Sequence, residues 1–206
     1  LFNYIKKRGI SVVNIMLDEY VFSGKCHFNF GCKELEDECV NCPHLRKHPV
    51  CMMKSGPHKV FLRKKRNYEG TNMVFVGPEM ALNGARRSPL LKGRVLIEAD
   101  ECIDTLRFRP RDTSALRREL GISQDKIVCM CVAVYDGIHH ERKGVPYYIE
   151  LARRFEQDDR FVFVQVAYMA EYPGGLPGNY IAKGFINDID TVAEYLSLGD
   201  LFIFPS

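Results

Sequence analysis

The chain has 206 residues, 46% hydrophobic and 27% charged, a composition that carries a real core and excludes a disordered or fibrous chain. Its formal net charge of +3 is too small for the concentrated basic field of a nucleic-acid binder; it suits an anionic small ligand or an acidic membrane surface equally well. No apolar run reaches the ~18–20 residues that span a bilayer, and no signal peptide stands ahead of the first strand. The chain opens at Leu1 and stops directly after the strand-like "LFIFPS", so it reads as a fragment missing both ends.

In chain order, "GISVVNIML" (9–17) is a β-branched run of the kind found in buried parallel strands. A Cys-rich loop follows, and then a basic stretch, "HKVFLRKKRNY", that predicts a helix. "TNMVFVGP" (71–78) is a second buried strand closed by Gly-Pro. "EMALNGARRSPLL" predicts a helix with a weak centre at Asn83-Gly84, "RVLIEA" a third strand, and "DECIDTLRFRPRD" an extended connection. Beyond Pro110 the texture changes. "DTSALRRELGI" is a short helix with Asp112, Thr113 or Ser114 as its N-cap and Gly121 as its stop. "KIVCMCVAV" is a strand, "YDGIHHERKG" a polar loop, and "VPYYIELARRFEQ" a helix with Pro146 in its first turn. Strand "RFVFVQVA", loop "EYPGGLPGN", strand "YIAKGF", helix "DIDTVAEYLSLG" and strand "DLFIFP" complete the chain. This alternation predicts an α/β protein whose parallel sheet has crossover helices, with a domain boundary near Arg111–Thr113.

Eight cysteines need an explanation. Cys129 and Cys131 lie within an apolar run, where the thiol acts as a small buried hydrophobe. Cys26, Cys32, Cys39 and Cys42 are spaced C-x5-C-x6-C-x2-C, with His27, His44, His48 and Cys51 as nearby substitutes. Four soft ligands including a CxxC pair favour tetrahedral Zn²⁺, and a closed metal site would stabilise a polar loop that has little core of its own. Reduced thiols, or one disulfide with two spare thiols, are the alternatives. Four cysteines leave no open coordination position, so the expected zinc is structural and no catalytic metal is expected.

"HHERKGVPYYIELARRF" places Arg142, Lys143 and Gly144 where a loop after a parallel strand opens a helix, the position at which such folds hold phosphates. Two cations oppose the helix dipole there, and an anionic ligand such as a diphosphate would relieve them. A solvated basic turn is the plainer alternative. His139 and His140 receive no role. The loop after "YIAKGF" also lies at the C-terminal edge of a strand, where either ligand binding or plain packing would fit.

Together these segments resemble a retaining glycosyltransferase of the two-Rossmann (GT-B) superfamily. The resemblance is to the large family 4-like, group 1 family that includes sucrose synthase-like and mannosyl-transferring enzymes. The Cys-rich loop is similar to that of a bacterial subgroup from exopolysaccharide and colanic-acid synthesis, which carries His-Asp-x-x-x-x-Thr-Gly-x-Cys, further cysteines and Cys-Pro. "LDEYVFSGKC" and the segment after it match at Asp18, Ser23, Gly24, Cys26, Cys32, Cys39, Cys42 and Pro43. "CIDTLRFRP" resembles the family's linker, "RKG" its Lys-Gly phosphate motif, and "YLSLGDLFIFPS" the run before its donor-binding glutamates.

The resemblance implies a GT-B fold with two Rossmann-like domains, both incomplete. Residues 1–112 would be the C-terminal portion of the acceptor-side domain, with the Cys-rich loop at 23–51. Residues 113–206 would be the first part of the nucleotide-sugar donor domain. Lys143 and Arg142 would neutralise the donor diphosphate, and Gly184, Phe185 and Ile186 would meet the nucleotide base. Asp18 and Ser23–Gly24 would border the acceptor; the catalytic group is unassigned, with Asp18 as the candidate. The implied protein is a cytoplasmic enzyme, peripheral to the inner membrane face, moving a hexosyl group to a glycan or lipid-linked acceptor in cell-surface polysaccharide synthesis, with no nucleic-acid partner. Departures weigh against full activity. Leu17 stands where the family has His, and "VAVYDG" replaces Gly-Arg-Leu, leaving Arg142 as a stand-in. "DEC" replaces Asn-Gly in the linker motif. The fragment alone is expected to be inactive. A catalytically impaired nucleotide- or glycan-binding relative, and a zinc-loop interaction module on a Rossmann scaffold, are the alternatives.

Overall fold

Two parallel sheets organise the chain in the computed structural model, which describes residues 1–47, 49–136 and 140–205 and, for His140 and Glu141, the backbone only. Contacts divide it into two units, Leu1–Cys102 and Ile103–Ser206.

In the first unit, helix α1 (Phe2–Arg8) leads into β1 (Ser11–Ile15). The Cys-rich segment follows, with 3-10 turns at Glu19–Phe22 and Lys33–Leu35. Then come α2 (Gly56–Tyr68), β2 (Asn72–Gly77), α3 (Glu79–Arg87) and β3 (Val95–Glu98). The strands are all parallel, in the order β1-β2-β3. Side chains alternate across the sheet. Met73 and Phe75 of β2 join a core with Met16, Phe22, Leu35, Phe61, Tyr68 and Leu82. The opposite face carries Val13, Val74 and Val95 in one row and Ile15, Val76 and Ile97 in the next. The outer four of these β-branched residues are exposed, although parallel sheets are normally covered on both faces. Helix α1 was not expected from the sequence. Its signal is the basic last turn Lys6, Lys7, Arg8 closed by Gly9, a helix stop whose periodic part is too short to stand out.

In the second unit, α4 (Ser114–Glu119), β4 (Ile127–Val132), α5 (His140–Lys143) and α6 (Val145–Arg154) come first. They are followed by β5 (Phe161–Val166), β6 (Tyr180–Gly184), α7 (Ile189–Leu198) and β7 (Leu201–Phe202). The four strands are parallel, in the order β6-β5-β4-β7. Strand β4 is central and buried on both sides. Cys129 and Cys131 pack under α6 with Tyr148, Ile149 and Phe163. Val128 and Met130 face the opposite way, toward Leu116, Tyr195 and Leu198 of α4 and α7. Helices on both faces of a parallel sheet make this a Rossmann-like unit. The short α5 lies within the stretch expected to be loop.

The segment 103–112 sits with the second unit, ten residues earlier than the texture change suggested. Arg107 and Arg111 pair with Asp190 at 3.5 and 3.0 Å, and Ser197 Oγ donates to the Arg109 carbonyl at 3.0 Å. The expected extended connection is a turn, in which the Phe108 N–H donates to the Asp104 carbonyl at 2.9 Å. Among the described residues no helix is long and apolar enough to cross a membrane.

Candidate functional site

The second unit gathers the loops at the C-terminal ends of its strands, the edge where open α/β sheets receive ligands. After β4, α5 ends at Lys143 and the chain turns at Gly144 (φ +63°) into α6, with Pro146 in the first turn. A Cβ on Gly144 would stand 2.4 Å from the Pro205 carbonyl oxygen, so both the left-handed conformation and the close backbone approach require glycine. Arg142 and Lys143 beside it are half-buried. Neither forms a hydrogen bond or ion pair among the described residues. Burial, then the Arg142 charge, pushes the Lys143 ammonium below its usual range. Two under-neutralised cations at the positive end of the α6 dipole form an environment that favours an anion.

The same unit has a cleft of about 740 Å³, lined by residues 169–176 and by Ala182, Lys183 and Gly184. A register shift at Gln165/Val166, where the Ala167 N–H donates to the Gly184 carbonyl at 2.9 Å, turns the β6 end into this cleft. Such a bulge re-aims a strand end. Gly184 lines the cleft, Phe185 is 72% exposed, and Ile186 packs against the core with Val164 and Tyr195. Arg142 and Lys143 are not part of the lining. Sequence reasoning missed the far wall. Arg153 of α6 donates to the Gly174 and Gly175 carbonyls at 3.4 and 2.8 Å and lies over the Tyr172 ring. The signal was the Gly-Gly pair, read only as a loop.

In the first unit, Cys26, Cys32, Cys39 and Cys42 line a single small cavity with Ser23, Lys25, Asn29, Glu34, Leu35 and Pro57. All are free thiols. Burial pushes Cys26 up to about 11 and raises Cys39, and each feels the neighbouring thiols. As placed, no group of three His, Cys, Asp or Glu side chains among the described residues is arranged to hold an ion. The substitutes are engaged elsewhere. Cys51 donates to the Met53 carbonyl at 3.3 Å, His44 packs on Phe30, and His27 pairs with Asp18 at 2.5 Å. Asp18 also caps the 3-10 turn by accepting from the Tyr20 N–H at 2.8 Å. This Asp18–His27 pair, stacked on Tyr20, was not anticipated. His48, His139 and Ser206 lie outside the described residues.

No known protein family matches the sequence, and no curated protein does. The fold is similar to that of a sucrose-phosphate synthase from Thermosynechococcus elongatus, with a TM-score of 0.51 at 14% identity. The match covers 82% of this chain and 43% of that one, so the chain spans less than half of that structure's length. At this identity the likeness shows the fold alone: an α/β chain of GT-B type, built here from two Rossmann-like units.

Proposed function

We propose that the protein takes part in glycosyl transfer, with a nucleotide-sugar as donor and a glycan or lipid-linked molecule as acceptor. The observation that carries this reading is the pair Arg142–Lys143, half-buried and without an anionic partner among the described residues, at the start of α6. A nucleoside diphosphate leaving group supplies the missing negative charge, and fixed cations with helix amides stabilise it as it departs. The cleft beside Gly184 has room for the nucleoside, and the GT-B type of fold supports the assignment. In this reading the sugar keeps its anomeric configuration, Asp18 with His27 borders the acceptor, and no metal takes part in the transfer. A hexosyl transfer for cell-surface polysaccharide, at the cytoplasmic face of a membrane, fits the resemblance of the Cys-rich segment.

Titration calorimetry with uridine and guanosine diphosphates tests the reading. Lys143→Ala removes about 1.5–3 kcal/mol of charged hydrogen bonding, a loss of roughly ten- to a hundredfold in affinity, with the melting temperature unchanged. Absence of binding to any nucleoside diphosphate, or unchanged affinity in both Lys143→Ala and Arg142→Ala, rejects it. Leu17, 78% exposed where the resembled motif has His, favours a second reading: a relative that binds the nucleotide without turnover. Nucleotide affinity with no sugar transfer identifies that case.

A further inference from the structure

We propose that Cys26, Cys32, Cys39 and Cys42 form a closed tetrathiolate zinc centre whose double negative charge is balanced by the buried cations Lys25 and Lys64. The inference does not rest on glycosyl transfer.

The donor set comes first. The four cysteines line a cavity of about 10 Å³, roughly the space of one probe-sized sphere. Cys51, His27 and His44 are outside its lining. The Gly24 N–H donates to Cys39 Sγ at 3.3 Å, the kind of outer contact that orients a metal ligand. As placed, the thiols are not arranged to hold an ion. A change of staggered χ1 moves a sulfur while the backbone stays in place.

Two observations unrelated to sulfur spacing support the centre. Lys25 and Lys64 are 7% and 8% exposed. Lys25 Nζ donates to the Lys47 and Pro49 carbonyls at 2.9 and 2.7 Å. Lys64 Nζ donates to the Tyr20 and Ser23 carbonyls and lies over the Tyr20 ring. Neither has a carboxylate ion pair among the described residues, yet buried charges are ordinarily paired. Lys25 lines the cavity together with the four cysteines, and Lys64 donates to the Ser23 carbonyl at 2.9 Å beside it. Zn²⁺ with four thiolates carries two negative charges, equal and opposite to the two ammonium groups. Binding converts four thiols to four Zn–S bonds and releases four protons.

The second observation is backbone strain. Phe30, Glu38 and Cys39 have φ of 53°, 56° and 58°, three non-glycine residues in the left-handed region within one segment. Such residues persist where the surroundings over-determine them. Leu35, 2% exposed, anchors the segment in the core against which Cys39 also packs, and the Cys39 N–H donates to the Glu34 carbonyl at 2.8 Å. A metal clip through Cys39 would add to these contacts in holding the strained turn.

The test begins with the chain purified without added metal. Elemental analysis is expected to give about one zinc per chain. Cobalt(II) in its place is expected to show the absorption of a tetrahedral thiolate site. Alkylation with mass spectrometry is expected to spare Cys26, Cys32, Cys39 and Cys42 together while Cys102 reacts, and a chelator is expected to release all four. Metal-free protein whose four thiols alkylate as Cys102 does, or a disulfide between any two of them, overturns the site. Lys64→Gln is expected to weaken zinc retention against a chelator tenfold or more, with Lys64→Arg restoring it. Equal retention in Lys64→Gln and Lys25→Gln overturns the charge balance. If a Gln variant fails to fold, the comparison of wild type with Lys64→Arg and Lys25→Arg decides, since loss of zinc in these charge-preserving variants contradicts the balance.

Discussion

Gln165 has no exposed surface, and its side chain is fully used: Nε2 donates to the Ala133 carbonyl at 2.6 Å, and Oε1 accepts from the Tyr180 hydroxyl at 2.6 Å. Burial pushes the Tyr180 phenol up and keeps it a donor. Gln165→Leu leaves that hydroxyl and a carbonyl without partners and is expected to cost about 1–3 kcal/mol. Adding Tyr180→Phe is expected to recover part of the loss, because removing both partners costs less than stranding one. Urea denaturation of the two single variants and the double variant measures the coupling, and additive losses contradict it. Gly144 is the other residue whose identity is dictated. Gly144→Ala is expected to destabilise by at least about 1–2 kcal/mol from the left-handed conformation alone, before the clash with Pro205 is counted. A urea midpoint equal to wild type contradicts the close approach.

The elements differ in how plainly the sequence announced them. β1, β2, β4 and β5 are continuous runs of β-branched and apolar residues, and their place on parallel sheets follows from that composition, although β1 has no buried residue. β6 ends where expected, at Gly184, and β7 keeps only two paired residues of the expected four. α1 was illegible because seven residues give barely two turns of period. The candidate site was half legible. A cation pair before a helix is a local pattern, and the sequence displays it. The Arg153 tether on the 174–175 carbonyls, the Gly144–Pro205 approach and the Asp18–His27 pair join residues distant in sequence, which periodicity and spacing do not encode. The conformation of the Cys-rich segment was hidden for the same reason: its cohesion comes from Lys25 bonding across it, Lys64 of α2 reaching into it and Leu35 reaching the core.

Across the whole molecule, each unit has its own core and its own sheet, and the boundary at Cys102/Ile103 separates them. A single two-state transition is therefore not expected. Calorimetry is expected to show two transitions, and a zinc chelator is expected to lower the first unit's while leaving the second's in place. One transition that shifts as a whole would contradict independent cores. The modest net charge of +3 belongs to this scale too, since it is concentrated locally at Arg142–Lys143 and along α2 rather than spread as a general polyelectrolyte field.

The pairing of β1 with β2 has a kinetic meaning. Asn72 meets Ser11 at a separation of 61 residues along the chain, and the whole Cys-rich segment lies in that loop. In the second unit the buried ties of Gln165 span 32 and 15 residues. Each doubling of loop length adds only about 0.6 kcal/mol of closure entropy, too little to govern stability. Non-local pairings do slow folding, however, because their entropy is spent before any contact repays it. In the second unit β4 also pairs with β7, and the Val128 N–H donates to Asp200 at a separation of 72 residues, so each sheet waits for a long loop to close. If the proposed zinc clip joins Cys26 to Cys42, it shortens the free contour of the loop between β1 and β2, so it would act on the rate at which the first sheet forms as well as on the endpoint. Until the sheet forms, its valine and isoleucine rows remain strands without neighbours, exposed to mispairing.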